Sequence, residues 1–235
     1  MNAIYVNDKP TGANINQGGG VAILEGAEKF DLNDELVKTY PPVIKKMVKS
    51  NCGFGLVLDG DADRAYLLAL NDFENAIYVL NGDKMSYILA KYNKNKGKNS
   101  IFVNTVESDI MTNIAIENDL KVKTKIACVG DKWVVRAVKE KEKMLIGAEE
   151  SGHVIIPVKV NGKNVYTGNG ILSGLTCLSH IIKNNIPMED ICHPFDEGFK
   201  KTYYTYLVDK KLFQRGSKVF NNDRNILLKE FKNII

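Results

Sequence analysis

Three aspartates at alternating positions form the most chemically distinctive stretch of this sequence. The apolar run Phe54 to Leu58 has the length of a strand and ends in Asp59, Asp61 and Asp63, which Arg64 follows. Carboxylates this close repel one another, so a compact loop that holds them is costly unless a cation neutralises the cluster. The pattern therefore predicts a divalent metal site at the end of a strand, where open α/β sheets bind ligands. An acid-rich polar turn is the plainer alternative.

Two other kinds of acidic loop fit this stretch less well. An EF-hand needs glycine at its sixth position and glutamate at its twelfth, where this chain has Arg64 and Leu70. A phosphatase of the haloacid dehalogenase type also places Asp-x-Asp after an apolar strand. It normally has threonine or valine where this chain has Asp63. A phosphatase that hydrolyses a small phosphomonoester, with Asp59 as nucleophile, stays open as an alternative.

The stretch from Asp59 to Arg64 resembles the metal loop of the α-D-phosphohexomutases, which move a phosphoryl group between the 1- and 6-positions of a hexose. The resemblance implies that Asp59, Asp61 and Asp63 hold Mg²⁺, with one coordination position left for a phosphoserine. It also implies that Arg64 lies beside the transferring phosphate as a catalytic residue. The metal would offset charge on the transferring group.

A second chemical centre is the segment from Glu149 to His153, which contains two glutamates, a serine and a histidine. Such side chains suit hydrogen bonding to a polyol, whereas groups at alternate positions of one loop do not readily line up as a catalytic triad. The segment resembles the sugar-specificity loop of the phosphohexomutases. This implies that Glu149 and Ser151 contact ring hydroxyls and that His153 supports them. We expect no charge contact between this loop and the three aspartates.

Further matches to the family lie on both sides of these two centres. They are Pro10-x-Gly12-x-Asn14-Ile-Asn16, Gly82-Asp83, Met111-Thr-Asn113, Val129 to Val134, and Tyr166 to Ile171, in which Asn169 replaces a family aspartate. The first, third and fourth are most like the phosphoglucosamine mutases, a branch of the family. The resemblance runs from about residue 10 to about residue 182, which corresponds to the two middle domains of a four-domain enzyme.

Hydrophobic periodicity predicts the elements that position these residues. Strands are expected at residues 1–6, 54–58, 65–70, 76–80, 100–103, 121–126 and 144–146, and helices at 33–50 (broken at Pro41-Pro42), 81–92, 109–118, 131–141 and 171–182. The alternation of strands and helices indicates an α/β fold of two mixed or parallel-sheet domains of the phosphohexomutase type. We expect a metal-binding part at 1–72, a sugar-binding domain at 73–186, and a basic linker or tail at 187–235.

Composition narrows the class of protein. The 235 residues are 44% hydrophobic, with no apolar run long enough for a transmembrane helix, and the N-terminus lacks the pattern of a signal peptide. Four isolated cysteines indicate reduced thiols, so we expect a soluble, cytoplasmic protein. Residues 200–235 carry a charge of +6 against a total of +4, yet no nucleic-acid-binding motif accompanies them, so we expect neither nucleic-acid nor membrane partners.

The expected function is that of a partial phosphohexomutase in amino-sugar metabolism. The chain resembles phosphoglucosamine mutase, the enzyme that interconverts glucosamine 6-phosphate and glucosamine 1-phosphate. The family's phosphoserine loop, Ser-His-Asn-Pro-like, and its C-terminal phosphate-binding loop, Arg-x-Ser-Gly-Thr-like, do not occur in this sequence. We therefore expect no activity from the chain alone, and a separately encoded remainder as a partner. A phosphomannomutase or phosphoglucomutase fragment and a non-catalytic sugar-phosphate-binding module are further alternatives.

Overall fold

The computed structural model describes residues 3–9, 11, 12, 14, 15, 17–93, 97, 99–198 and 216–231. The chain divides into two compact units, Met1–Lys200 and Lys201–Ile235. Both chemical centres lie in the first unit. The three-part division at residues 72 and 186 stays a prediction.

The first unit opens with an antiparallel sheet. A short 3-10 helix (Val21–Leu24) precedes its strands, which are β1 (Lys29–Asp31), β2 (Phe54–Leu58), β3 (Ala65–Asn71) and β4 (Ala76–Leu80). The order in the sheet is β1-β4-β3-β2, and every neighbouring pair is antiparallel. The acidic stretch is therefore the loop of a hairpin between β2 and β3.

The second sheet is mixed, and three of its strands are parallel. Its strands are β5 (Ser100–Thr105), β6 (Lys123–Ala127), β7 (Lys143–Ala148) and β8 (Val154–Ile155), in the order β6-β5-β7-β8. The two pairs that β5 makes are parallel, and β8 runs antiparallel to β7. A small hairpin follows, β9 (Val158–Val160) with β10 (Lys163–Val165). The predicted α/β class is confirmed, with one antiparallel and one mixed sheet.

Seven helices accompany these sheets in the described part of the first unit. They are α1 (Asp34–Val37), α2 (Pro42–Ser50), α3 (Gly82–Tyr92), α4 (Ile110–Leu120), α5 (Asp131–Arg136), α6 (Gly170–Lys183) and α7 (Met188–Cys192). The predicted break at Pro41-Pro42 is confirmed, since α2 begins at Pro42, where a missing N–H costs nothing. None of the described helices has the length and apolarity to cross a membrane.

The second unit, taken by itself, contains one described helix, α8 (Lys218–Phe231). The predicted basic tail falls largely outside the described residues, which resume at residue 216. The family match that begins at Pro10 also lies partly outside them, because residues 10, 13 and 16 are not among those described.

Two sequence predictions need correction. The strand predicted at residues 1–6 is wrong for the described residues 3–6, none of which is in a strand. Ile4 and Tyr5 are exposed there, so that no neighbouring element buries them. The helix predicted to reach residue 141 ends at Arg136. The carbonyl of Ala137, just beyond it, accepts a hydrogen bond from Lys125 Nζ of β6 at 2.8 Å.

One hydrophobic core spans both sheets, and α3 lies within it. Residues 82 to 90 of this helix are all buried, which is typical of a helix packed on every side. The core cluster combines Leu67 of β3, Ile88 of α3, Phe102 of β5, Ile146 of β7 and Cys177 of α6. All seven residues of β3 are buried because other elements cover both faces of its sheet. The two sheets are thus joined by a shared apolar interior.

The N-terminus of α3 fixes the loop that follows β7. The Gly82 N–H donates to the Glu150 carbonyl at 2.9 Å. A Cβ at Gly82 would lie 1.9 Å from the Glu149 carbonyl oxygen. Only glycine allows the backbone of this loop to lie so close to the helix.

Gly82→Ala is therefore expected to lower the free energy of unfolding by about 1–3 kcal/mol, the usual cost of forcing an added methyl group into a packed site. Urea denaturation measures the change. Gly53→Ala is the matched control, because a Cβ there meets nothing within 4 Å. A Gly82→Ala protein as stable as the control would contradict the close packing of this loop on α3.

Candidate metal and sugar-binding site

The hairpin loop between β2 and β3 brings the three predicted acids together. One carboxylate oxygen from each of Asp59, Asp61 and Asp63 lies within 4.8 Å of the other two. The Ala62 N–H donates to the Asp59 carbonyl at 3.2 Å, and Ala62 has a left-handed backbone with φ of 59°. This tight turn directs the alternating side chains to one point. Carboxylate oxygens in this number suit a hard divalent cation.

Arg64 closes the loop by binding its first acid. The Arg64 Nε donates to Asp59 Oδ2 at 2.8 Å, and the Arg64 backbone N–H donates to Oδ1 of the same carboxylate at 3.1 Å. The guanidinium also faces Glu25, with 3.4 Å between Nη1 and Oε1. No feature of the sequence around Glu25 indicated this contact. The residue lies just after the 3-10 helix, 39 positions before its partner.

The pKa values of the acids reflect this unequal pairing. Burial acts to raise the pKa of Asp59, but the hydrogen bonds from Arg64 outweigh it and leave the pKa below its ordinary value. Burial raises the pKa of Asp63, and the hydrogen bond and charge of Asp59 raise it further. The hydrogen bond to Asp59 raises the pKa of Arg64. The loop therefore carries more negative charge than its one arginine offsets, and a bound cation would supply the remainder.

The second centre lies at the carboxyl end of β7, one of the parallel strands. Glu149 is buried, and its Oε1 accepts the Gly130 N–H, at the start of α5, at 2.7 Å. The turn is closed by the Gly152 N–H, which donates to the Glu149 carbonyl at 3.1 Å. Gly152 has φ of 94°, a conformation that favours glycine. Ser151 is half-buried between them.

The two centres are in direct contact, which corrects one expectation. The Ala65 N–H, at the start of β3, donates to the Gly152 carbonyl at 3.0 Å. His153 Nδ1 lies 3.0 Å from Asp63 Oδ2. The expectation that this loop makes no charge contact with the aspartates is therefore wrong. The loop after β7 lies against the first residue of β3, so the two centres form one site although they are 90 residues apart in sequence.

The segment before α6 also supports the acidic loop, a role that sequence reasoning left unassigned. Asn169 caps α6 by accepting the Leu172 N–H at 2.9 Å. The Gly170 N–H donates to the Ala62 carbonyl at 2.8 Å, and a Cβ at Gly170 would lie 2.5 Å from the Arg64 carbonyl oxygen. The glycines of this segment were the available signal, since close approach of backbones requires them.

Other family-like positions serve the scaffold. Asn113 of α4 pairs with Asn104 of β5 through two amide hydrogen bonds, at 2.7 and 3.0 Å, in the buried interior. Asp83 is also buried, and its Oδ2 accepts the Asp109 N–H at 2.8 Å at the start of α4. These contacts join α4 to α3 and β5. They hold the sheet that carries the loop of Glu149.

The fold and the site define an α/β protein with an acidic loop suited to a divalent cation. Comparison with known proteins places it more narrowly. Residues 81–197 match the family described as phosphoglucomutase/phosphomannomutase, alpha/beta/alpha domain III. The chain belongs to the α-D-phosphohexomutase family.

Two relatives are phosphoglucosamine mutases of bacteria. The chain is 31% identical to phosphoglucosamine mutase of Clostridium kluyveri over 228 residues, which is 95% of this chain and 43% of that protein. It is 34% identical to phosphoglucosamine mutase of Nautilia profundicola over 186 residues, which is 77% of this chain and 35% of that protein. The chain thus spans less than half the length of these relatives.

Solved structures share the fold. N-acetylphosphoglucosamine mutase of Aspergillus fumigatus, in complex with GlcNAc-6P and magnesium, has a TM-score of 0.54 at 19% identity and covers 72% of this chain and 38% of its own. A phosphoglucomutase/phosphomannomutase family protein of Burkholderia thailandensis has a TM-score of 0.51 at 16% identity. It covers 63% of this chain and 30% of its own.

The closure of the loop by Arg64 is open to measurement. Arg64→Gln removes the charged donor from Asp59 and is expected to lower the free energy of unfolding by about 1–2 kcal/mol, the range for a charge-assisted hydrogen bond at a partly exposed site. Lys45→Gln, on the exposed side of α2, also removes one positive charge; it is the control and is expected to change the free energy of unfolding by less than about 0.5 kcal/mol. Equal stabilities of the two variants would show that Arg64 does not hold the loop.

Proposed function

We propose that this chain provides the metal-binding and sugar-binding parts of a phosphohexomutase that interconverts glucosamine 6-phosphate and glucosamine 1-phosphate. The observation that carries the proposal is the contact between the two centres. Three convergent carboxylates with an arginine lie against a loop whose glutamate, serine and histidine suit a polyol. A sugar phosphate carries its phosphate and its hydroxyls on one small molecule. A site that binds it therefore needs both kinds of group close together.

The relatives favour a hexosamine phosphate as the substrate class. Two of them are phosphoglucosamine mutases, and the Aspergillus fumigatus enzyme binds GlcNAc-6P and magnesium. A mannose or glucose phosphate is the second candidate within the family, since the Glu149-Glu150-Ser151 sequence is shared more widely. We place the reaction in the cytoplasm.

Asp59, Asp61 and Asp63 would hold Mg²⁺, and the donor set of convergent carboxylate oxygens fits this ion. When bound, the ion would stabilise negative charge on a phosphoryl group in transfer. Arg64 keeps Asp59 ionised and in place through two hydrogen bonds. Its guanidinium is itself held between Asp59 and Glu25, so its charge is fixed beside the acids.

Glu149 and Ser151 would bind sugar hydroxyls. One oxygen of the Glu149 carboxylate accepts the Gly130 N–H, which fixes the direction of the side chain, and a carboxylate has capacity for further donors. Ser151, half-buried in the same turn, can both donate and accept. His153 was predicted to support sugar binding, and its Nδ1 faces Asp63.

The phosphatase alternative receives less support. A nucleophilic Asp59 would attack phosphorus with one of its carboxylate oxygens. Both of those oxygens accept hydrogen bonds from Arg64, at 2.8 and 3.1 Å. Such bonds stabilise the ionised carboxylate and lower its nucleophilicity. This arrangement suits a group that orients a cation.

Asp61→Asn is expected to abolish binding of Mg²⁺ or Mn²⁺, because Asp61 is the exposed acid of the three and its carboxylate is open to a ligand from solution. Calorimetric titration of the purified chain measures this. Asp72→Asn, in the exposed turn after β3, changes the net charge equally and is expected to bind as the wild type does. Undiminished affinity in Asp61→Asn would remove the metal site from this loop.

Ser151→Ala is expected to weaken binding of glucosamine 6-phosphate about threefold to tenfold, the value of one hydrogen bond, and to leave metal affinity unchanged. Ser179→Ala, at a half-buried serine of α6, is the control. Titration with mannose 6-phosphate in parallel compares the two substrate classes. Equal affinity of wild type and Ser151→Ala for glucosamine 6-phosphate would contradict a sugar-binding role for Ser151.

The expectation that the 235-residue chain by itself interconverts no hexose phosphates stays a prediction. A coupled mutase assay with the purified chain, Mg²⁺ and a bisphosphate primer tests it. Turnover that Asp61→Asn abolishes would contradict it and would support the mutase activity directly.

A further inference from the structure

His153 is the side chain through which the loop after β7 contacts the acidic loop. Its Nδ1 lies 3.0 Å from Asp63 Oδ2, and only 8% of the residue is exposed. We propose that His153 is a positioning residue for the metal site, which holds the Asp63 carboxylate in the orientation that binds the cation. The inference rests on the metal site of the proposed function and gives His153 a role there in addition to its predicted support of sugar binding.

The surroundings of the imidazole fix its orientation. Nε2, on the far side of the ring, is buried and has no hydrogen-bond partner among the described residues. It faces Gly168, where a Cβ would lie 2.2 Å from Nε2. The backbone at Gly168 therefore packs against one edge of the ring, so that the opposite edge, with Nδ1, faces Asp63. In this arrangement Nδ1 carries the proton and donates a hydrogen bond to the Asp63 carboxylate.

The acids of the loop are held by different partners. Asp59 accepts two hydrogen bonds from Arg64, whereas the Arg64 Nε lies 4.0 Å from Asp63 Oδ1, too far for a hydrogen bond. The imidazole of His153 is thus the close donor from outside the loop to Asp63. Without it, the Asp63 carboxylate would lose its hydrogen-bonding partner from the loop after β7. Asp61 is the exposed acid of the three, and the backbone of the turn sets the position of its side chain.

The expected effect is on cation affinity. Partners that hydrogen-bond a metal-ligating carboxylate orient it, and their loss typically weakens metal binding about 10- to 100-fold. If His153 acts by this hydrogen bond, a replacement that keeps a hydrogen-bond donor near the position of Nδ1 should preserve cation binding. Asparagine places its side-chain N–H₂ close to that position, whereas alanine supplies no donor. A merely space-filling role for His153 would make no such distinction.

The experiment is a titration of the full 235-residue chain with Mn²⁺, followed by the electron paramagnetic resonance signal of the free ion. His153→Ala is expected to bind Mn²⁺ at least about tenfold more weakly than the wild type, and His153→Asn within about threefold of it. His193→Ala is the matched control, because His193 also faces a carboxylate, with 3.6 Å between Nδ1 and Glu197 Oε1, and is expected to bind as the wild type does. Circular dichroism spectra and thermal melts of each variant establish that it is folded.

Wild-type affinity in His153→Ala, with binding abolished by Asp61→Asn, would overturn the role of His153 and leave the metal site intact. Equal loss in folded His153→Ala and folded His153→Asn would also overturn it, because the donor would not be what matters. If His153→Ala does not fold, His153→Asn decides: near-wild-type affinity supports the proposal, and a tenfold loss in the folded protein contradicts it. No binding by the wild type would contradict the proposed metal site itself.

Discussion

Repulsion among three carboxylates is the constraint to which the rest of the site responds. The acids alternate along a hairpin loop, so their side chains converge and their charges must be compensated. Arg64 offsets one of them. The remainder is a concentrated negative charge on a rigid hairpin whose strand β3 is buried along its whole length. An arrangement this costly persists when the surrounding structure fixes it, and it suits a site that gains its counter-ion on binding.

The surrounding structure does fix it, through segments about 90 to 110 residues further along the chain. Backbone hydrogen bonds from Ala65 to Gly152 and from Gly170 to Ala62 tie the hairpin to the two loops that flank β8 to β10. His153 adds a side-chain contact to Asp63. A shared hydrophobic core joins the two sheets beneath these contacts. The groups that would bind the cation and those that would bind the sugar therefore keep a set distance, which phosphoryl transfer requires because it depends on positioning.

Local patterns were enough to predict most elements and the convergence of the three aspartates. The apolar strand before Asp59 and the helix that begins after Asn81 are specified within a few residues, by alternation, periodicity and capping. The short strand β8 and the hairpin of β9 and β10 were missed because two- and three-residue strands carry little periodic signal. The predicted N-terminal strand failed because a strand needs a partner, and propensity does not supply one.

Contacts between loops were beyond the sequence for a different reason. Glu25, His153 and Gly170 all act on the acidic loop across long separations in sequence, and such proximity depends on how the two sheets pack. Of the three, Gly170 offered a signal, because glycine in a helix N-terminus indicates close backbone approach. Glu25 offered none. The roles of Glu149 and Ser151 toward a sugar stay predictions.

The most direct test of the account is the location of a bound cation relative to both loops. Mn²⁺ added in small amounts to the ¹⁵N-labelled chain broadens the amide signals of residues near it. We expect broadening at residues 59–64 together with 152, 153 and 168–170, and none at the turn of residues 72–75. Broadening restricted to the turn, or confined to the acidic loop without residues 152, 153 and 168–170, would contradict a single site built from both halves of the first unit.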